Sequence, residues 1–285
     1  MTISEAYKNF IKSLNHIYPL GEATAITDLV FEKTTGLQKW EFRENKDGIS
    51  PDEGNGLSNK LKELLLNKPV QYVIGESWFY KRKFLVNKHV LIPRPETEEL
   101  IEWIIIDCKK TSNQNTLNFL EIGTGSGCIP ISIKLEMPLS KVTSLDVSHD
   151  ALKVAMQNAE NLNAKIEFIQ LDFLNENSWK ALGDYDIIVS NPPYIPFDQL
   201  QDMPKNVRDF EPAVALFVDN NDPFIFYKKI ALFAKTHLNK NGKIYVELNE
   251  KYAEEVALIF KSQSFTAWIK NDFYGKERMI RATLT

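Results

Sequence analysis

Cysteine is scarce in this sequence: Cys108 and Cys128 are the only two in 285 residues. There is no CxxC, and the four histidines include no pair at ligand spacing, so neither a disulfide framework nor a zinc site is indicated and no metal is expected. That reads as a reducing compartment. Long apolar runs are missing as well. The nearest candidate, around Trp103 to Ile106, is bounded by Glu102 and Asp107, so no membrane span is expected. The first segment has Glu5, Lys8 and Lys12 inside its apolar pattern and hence no uninterrupted signal-peptide core; a cytoplasmic location is expected. Basic charge is in deficit, with 34 Lys and Arg against 38 Asp and Glu and a net charge of −4. A stable duplex nucleic-acid partner is therefore not expected, because such binding rests on Lys and Arg neutralising phosphates. With 12 Gly and 13 Pro and 44% hydrophobic residues, the chain is neither collagenous nor wholly disordered. Its length suits one large domain or two modest ones.

What is present divides into three regions. Ile3, Tyr7, Phe10, Ile11, Leu14, Ile17 and Tyr18 recur at helical spacing. Ala23, Ile26 and Val30 share a face before Gly36, and Leu57, Leu61, Leu64 and Leu65 repeat the pattern before Pro69. Between them RENKDGISPDEGNG reads as loop, and residues 1–69 form a small helical domain. From Val70 to Ile92, aromatic and β-branched runs separated by a basic KRK suggest a hairpin connector. Residues 93–285 form the third region. A helix beginning near Pro95 has acidic residues at its start and Lys109 and Lys110 at its end, as the helix dipole favours. TLNFLEI, KVTSLDV, IEFIQ, YDIIVS and KIYVEL then alternate with helical stretches, which predicts a mostly parallel α/β sheet covered on both faces. FTAWIK and ERMIRATL add an antiparallel edge pair, for seven strands in all.

Three strand ends bear chemistry. FLEIGTGSGC places Glu121, Gly123, Gly125 and Gly127 where a strand turns sharply into a helix, and glycine lets the backbone approach a ligand closely. LDVS places Asp146 where an acidic residue meets ribose hydroxyls, and LDF places Asp172 and Phe173 to bracket an adenine. The spacing is GxGxG with Cys128 following, not the GxGxxG of a pyrophosphate site. S-adenosyl-L-methionine, with ribose and adenine but no phosphate, suits such a site better than a dinucleotide. Taken alone the glycines make a tight turn and Cys128 a small core residue.

At the end of YDIIVS comes NPPYI, with Asn191, Pro192, Pro193 and Tyr194. Two prolines fix the backbone and remove two N–H donors. The groups left exposed are the Asn191 side-chain carbonyl, the Pro192 main-chain carbonyl and the Tyr194 ring. Two acceptors beside an aromatic plane fit a flat –NH2 group, which has two protons to donate and a face to stack. An isolated Pro-Pro pair is equally a rigid turn.

With EIGTGSG and NPPYI, the segments PVQYVIGESWFY, LIPRPETEELIEW, VRDFEPAVALF, KIYVELNE and DFYGKERMI resemble, in order, the peptide chain release factor N5-glutamine methyltransferases of the PrmC/HemK type. The resemblance covers the α/β region and the connector; the first 70 residues are similar only in being helical. It implies a Rossmann-like class I S-adenosylmethionine-dependent methyltransferase fold with a small N-terminal helical domain. The implied reaction moves methyl from S-adenosyl-L-methionine to the side-chain amide nitrogen of the Gln in a release factor's Gly-Gly-Gln motif, tuning translation termination and leaving S-adenosyl-L-homocysteine. Cofactor contacts carry over to Gly123, Thr124, Gly125, Ser126, Gly127, Asp146, Phe173 and Asn191. Asn191, Pro192, Pro193 and Tyr194 would hold the substrate amide, and the helical domain would help hold the release factor, with the enzyme a monomer. Phe173 stands where many relatives have Trp, and Glu247-Leu248-Asn249-Glu250 departs from the family's usual run, which leaves the role of Glu247 open. Arg94, Glu96 and Thr97 resemble a family segment near the active site, yet a helix N-terminus accounts for them too. An adenine-N6 methyltransferase on DNA or RNA, whose target amine is also flat with two donors, and a non-catalytic S-adenosylmethionine-binding module stand as alternatives.

Overall fold

A computed structural model describes residues 1–111 and 116–285. The chain divides into two compact units, residues 1–76 with 204–210 and residues 77–203 with 211–285.

The first unit is built of α1 (Ile3–Leu14), α2 (Leu20–Thr35), α3 (Lys39–Glu44), α4 (Pro51–Leu65) and α5 (Val70–Ile74). α1 opens on a Thr2–Glu5 capping box and stops at Leu14, so Ile17 and Tyr18 of the expected helical face lie in the following turn. α2 ends where expected, on Gly36 in the left-handed conformation at φ 71°. The segment read as loop is in part helix. Ser50 caps α4, Pro51 occupies its first turn and Glu53 completes the box, so these contacts outweigh the helix-weakening Gly54 and Gly56. Tyr7, Phe10, Phe31 and Phe42 pack edge-on or tilted to form the core. Within it the Tyr7 hydroxyl donates to buried Asp28 at 2.7 Å, and Lys39 and Arg43 neutralise that carboxylate.

The connector is half as expected. Val70–Ile74 folds as the helical turn α5, bounded by Pro69 and by Gly75 at φ 74°, in spite of its β-branched residues. The hairpin follows as β1 (Glu76–Phe79) and β2 (Arg82–Leu85). Tyr80 and Lys81 between them both have positive φ, the signature of the mirror-image turn whose twist matches the flanking strands.

Next come α6 (Pro95–Thr111), β3 (Asn118–Ile122), α7 (Cys128–Glu136), β4 (Lys141–Asp146), α8 (His149–Asn161), β5 (Glu167–Gln170) and β6 (Tyr185–Ser190). A two-residue pair, β7 (Ile195–Pro196) and β8 (Phe217–Val218), brackets the single turns α9 (Lys205–Arg208) and α10 (Ala213–Leu216). The chain closes with α11 (Ile225–His237), β9 (Leu238–Glu247), α12 (Ala253–Ser262), β10 (Phe265–Asn271) and β11 (Glu277–Leu284). The main sheet has seven strands in the order β10-β11-β9-β6-β3-β4-β5. β9, β6, β3, β4 and β5 run parallel and the last two strands antiparallel, as the sequence pattern predicts.

Alternation along the strands covers both faces of this sheet. Leu120, Ile122, Ile188, Ile244 and Val246 pack with Tyr227 and Phe233 of α11 and Val256 and Phe260 of α12. Phe119, Ile187, Val189 and Tyr245 pack with Leu100 and Ile104 of α6 and Ile129 and Ile133 of α7. In a parallel sheet so covered, the polar residues are driven to the strand ends, and the carboxyl ends of β3, β4, β5, β6 and β9 gather in one place.

Candidate active site

The glycine loop after β3 is held by its neighbour strand. Gly123 and Thr124 both donate their backbone N–H to the Leu145 carbonyl, at 2.8 and 2.9 Å. Gly123, Gly125 and Gly127 all have positive φ, which a side chain would strain. Gly127 has a second reason: a Cβ there would stand 3.0 Å from Ile131 Cδ1 and 3.1 Å from Ala155 Cβ, so its smallness lets α7 and α8 pack.

A cavity of about 320 Å³ opens at these strand ends. On its wall stand Glu121, Gly123, Thr124, Gly125, Ser126, Asp146, Asp172, Phe173, Asn191 and Pro193. Ten of the residues singled out in the sequence thus meet around one space. Gly127 is not among them; it supports the loop from behind. Pro192 is buried and Tyr194 half-buried, neither on this wall.

Glu121 is 1% exposed. Its Oε2 accepts from the Ser144 hydroxyl, which in turn lies 2.6 Å from Thr124 Oγ1. Its Oε1 is buried with no hydrogen-bond partner among the described residues, and so is Ser126 Oγ. Burial pushes the Glu121 carboxyl well above the ordinary range, with nearby Asp146 adding to the rise. An acid left so unsatisfied on a cavity wall calls for a cation or donor from a ligand.

Asp146 does two things. Its Oδ2 accepts from Gly125 N at 2.9 Å and its Oδ1 from Ser148 N at 2.8 Å, so the carboxylate ties the loop to the start of α8. Each oxygen keeps a lone pair for a ribose hydroxyl. Burial raises its pKa in spite of those bonds. Asp172 accepts from Leu174 N at 3.0 Å. Phe173 is 4% exposed, its ring tilted on Trp179 at 5.4 Å and edge-on to Phe233 at 5.5 Å, which locks it in place. Leu145 and Leu171 complete an apolar stretch of wall. Carboxylates for hydroxyls, an apolar slot for a flat base, an unpartnered acid for a positive charge and no Lys or Arg in the glycine loop fit S-adenosyl-L-methionine.

Cys128 and Cys108 are not bridged, and burial pushes their thiols up to about 12 and about 11, so neither is a nucleophile at neutral pH. No cluster of His, Cys, Asp and Glu that could hold a metal occurs among the described residues, and no described helix is long and apolar enough to cross a membrane.

The Asn191 amide is oriented by partners far away in sequence. Its Nδ2 donates to Thr97 Oγ1 at 3.1 Å, and the Thr97 hydroxyl donates to Glu247 Oε2 at 2.6 Å. Both partners are 2% exposed. No described residue donates to Asn191 Oδ1. In the sequence Thr97 resembles a family segment near the active site but is equally accounted for by a helix N-terminus, and the role of Glu247 is open. Arg94, also on the wall, binds Glu211 Oε1 at 2.6 Å, and Ile92 N donates to the other oxygen of Glu211, so this buried acid anchors the segment before α6. His89, Val214 and Phe226 line the cavity too. No spacing marks them: His89 lies in a loop and Phe226 in α11, outside any motif, and Val214, though within VRDFEPAVALF, is an apolar residue of α10 with no chemical signature.

Comparison with known proteins bears on the fold and the family. A family model described as "Methyltransferase small domain" matches residues 106–207. A methyltransferase of known structure from Pyrococcus furiosus shares the fold, with 20% identity and a TM-score of 0.51 over 79% of this chain and 97% of that one. The release factor glutamine methyltransferase of Flavobacterium psychrophilum is 42% identical over 99% of both chains. That of Bacteroides thetaiotaomicron is 37% identical over 95% of this chain and 96% of its own. The chain belongs to the release factor glutamine methyltransferase family.

Proposed function

We propose that the cavity beside β3, β4 and β5 holds S-adenosyl-L-methionine, and that Asn191, Pro192, Pro193 and Tyr194 hold the side-chain amide of the glutamine in a release factor's Gly-Gly-Gln motif. The chain is an S-adenosylmethionine-dependent protein-(glutamine-N5) methyltransferase. One observation above all supports these residue roles: the same wall bears a buried carboxylate oxygen without a partner, Glu121 Oε1, and an asparagine whose amino group is already engaged.

The cofactor supplies a methyl group on a positively charged sulfur and leaves as S-adenosyl-L-homocysteine. Glu121 faces positive charge and becomes ionised when a cation replaces its missing partner. Asp146 accepts from ribose hydroxyls; Asp172 and Phe173 bracket the adenine. On the acceptor side, an amide nitrogen is a poor nucleophile because its lone pair is delocalised into the carbonyl. Asn191 Oδ1 and the Pro192 carbonyl accept its two protons, draw density back to nitrogen and hold it in line with the methyl carbon. As the N–C bond forms the C–S bond breaks, and one N–H proton then passes to water. No strong base is required. Burial pushes the Tyr194 phenol up, so the ring stays neutral and offers a flat face to the amide.

An adenine amine has the same two donors, and NPPY alone does not separate it from glutamine; the 42% identity along 99% of the chain supports the protein substrate. The helical unit, with Trp40 76% and Leu66 71% exposed, is a surface for gripping the release factor. This reading goes with a cytoplasmic monomer. The test is methyl incorporation from labelled cofactor into a purified release factor beside a variant whose Gly-Gly-Gln glutamine is alanine. Label only in the first is expected; label in neither, or in both equally, refutes the substrate.

A further inference from the structure

We propose that Thr97 and Glu247 are positioning residues that fix which end of the Asn191 amide meets the substrate. The two ends of a carboxamide have the same shape and opposite hydrogen-bonding character, so an asparagine can serve as an acceptor only if something forbids its flip. Here the chain of hydrogen bonds forbids it. An ionised Glu247 can only accept, so the Thr97 hydroxyl must donate to it, at 2.6 Å. The Thr97 oxygen is thereby left as an acceptor, and what approaches it, at 3.1 Å, must be the Asn191 amino group. Oδ1 is then the end turned to the substrate's –NH2.

The flipped amide would put two N–H donors against two N–H donors, and Thr97 would lose its proton donor from Asn191 as well. Thr97 lies in the first turn of α6 and Glu247 ends β9, on opposite sides of β6 in the chain's path, and both are buried. Thr97 lines the cavity beside Asn191 and Glu247 does not, and the role assigned to each is exerted through the Asn191 amide. This inference rests on the proposed acceptor role of Asn191 and extends it.

A protonated Glu247 reverses the polarity. It could donate to Thr97, whose hydroxyl could then donate to Asn191 Oδ1 and turn the amino group toward the substrate. Burial pushes the Glu247 carboxyl up to about 7, a rise opposed by the Thr97 bond and by Arg278 and Arg94 and reinforced by Glu96. The other groups facing it are Tyr194, Cys128 and Tyr227, all neutral near pH 7 with their pKa values raised by burial; the Tyr227 hydroxyl donates to the Glu247 backbone carbonyl at 3.1 Å. Arg94 and Arg278 are themselves engaged, with Glu211 and with Asp272 and Glu250.

The experiment uses the full-length enzyme with a purified release factor, and compares Thr97→Val, Thr97→Ser, Glu247→Gln and Asn191→Ala with the parent. Thr97→Val should lower kcat about tenfold at pH 8, the worth of one charge-assisted hydrogen bond. Its dissociation constant for S-adenosyl-L-homocysteine should stay within about twofold, which also shows that it folds. Thr97→Ser, which keeps the hydroxyl, should restore kcat. The parent's kcat should fall as pH drops through about 7. Glu247→Gln, unable to titrate, should lower kcat and lose that acid limb. Independently of turnover, the ¹⁵N side-chain amide resonance of Asn191 should move with pH in the parent and stand still in Glu247→Gln. Parental kcat in Thr97→Val, an equal loss in Thr97→Ser, or an acid limb that survives in Glu247→Gln would each overturn the relay. Parental activity in Asn191→Ala would instead overturn the acceptor reading beneath it.

Discussion

Glu121 and Glu247 sit near the ends of strands on either side of β6, one 1% and the other 2% exposed, and each offers one oxygen to a hydroxyl. Burial raises both carboxyls. They differ in what lies beyond the hydroxyl. Ser144 leads from Glu121 back into the glycine loop at Thr124 and leaves Oε1 without a partner, so that acid is a counter-charge waiting for a ligand. Thr97 leads from Glu247 to Asn191, so that acid sets direction. The same residue type at the same depth serves charge in one half of the site and orientation in the other, and its second neighbour decides which.

The comparison predicts separable losses. Asn191→Ala, on the orienting side, should lower turnover by about 100- to 1,000-fold while the cofactor dissociation constant stays within about threefold. A large change in cofactor affinity, measured by calorimetry, would merge the two halves. Next in size is a pH effect on the ligand-free fold. The Glu247 carboxyl rises from an ordinary 4.5 to about 7, so the folded state binds the extra proton between those values and stability falls as pH rises through them. The loss amounts to about 3 kcal/mol at most and is complete above pH 8. Urea unfolding at pH 5 and pH 8 should show it in the parent and show less in Glu247→Gln. An identical slope in both would mean that other groups govern it.

Glu121→Gln keeps the shape and removes the counter-charge, so the dissociation constant for S-adenosyl-L-methionine should rise about 30-fold, within the range for a hydrogen bond to a charged group. For S-adenosyl-L-homocysteine, which lacks the sulfonium, the loss should be smaller. Equal losses would place the ligand's charge elsewhere. Asp146→Ala should weaken cofactor binding about tenfold and turnover of the saturated enzyme little. An unaltered dissociation constant would mean that the carboxylate serves only to tie Gly125 to Ser148.

Much of this was legible in the residues. Alternating apolar strands with helices between them predicted the parallel sheet, because two covered faces require that pattern. Short signals failed where local capping outweighed propensity: Ser50, Pro51 and Glu53 start a helix inside a stretch rich in glycine and charge, and Pro69 with Gly75 turns VQYVI into a helical turn. On the cofactor side the motif residues other than Gly127 line one cavity, since they stand at the ends of parallel strands and such ends converge. Gly127 was legible as a glycine, but its contact with Ala155 was not.

The sequence by itself determined the strand-ending glycines, the acids at 121, 146 and 172, and the rigid NPPY segment, because backbone conformation and strand position are local properties. Only the tertiary structure decided how Asn191 is turned. Thr97 is 94 residues from Asn191 and 150 from Glu247, and no pattern along the chain links them. Hydrogen bonds of 2.6 and 3.1 Å exist there because the sheet order brings the end of β9 and the start of α6 to the end of β6. The direction of a hydrogen-bond chain depends on where donors and acceptors meet in space, and that is settled when the sheet closes over its two cores.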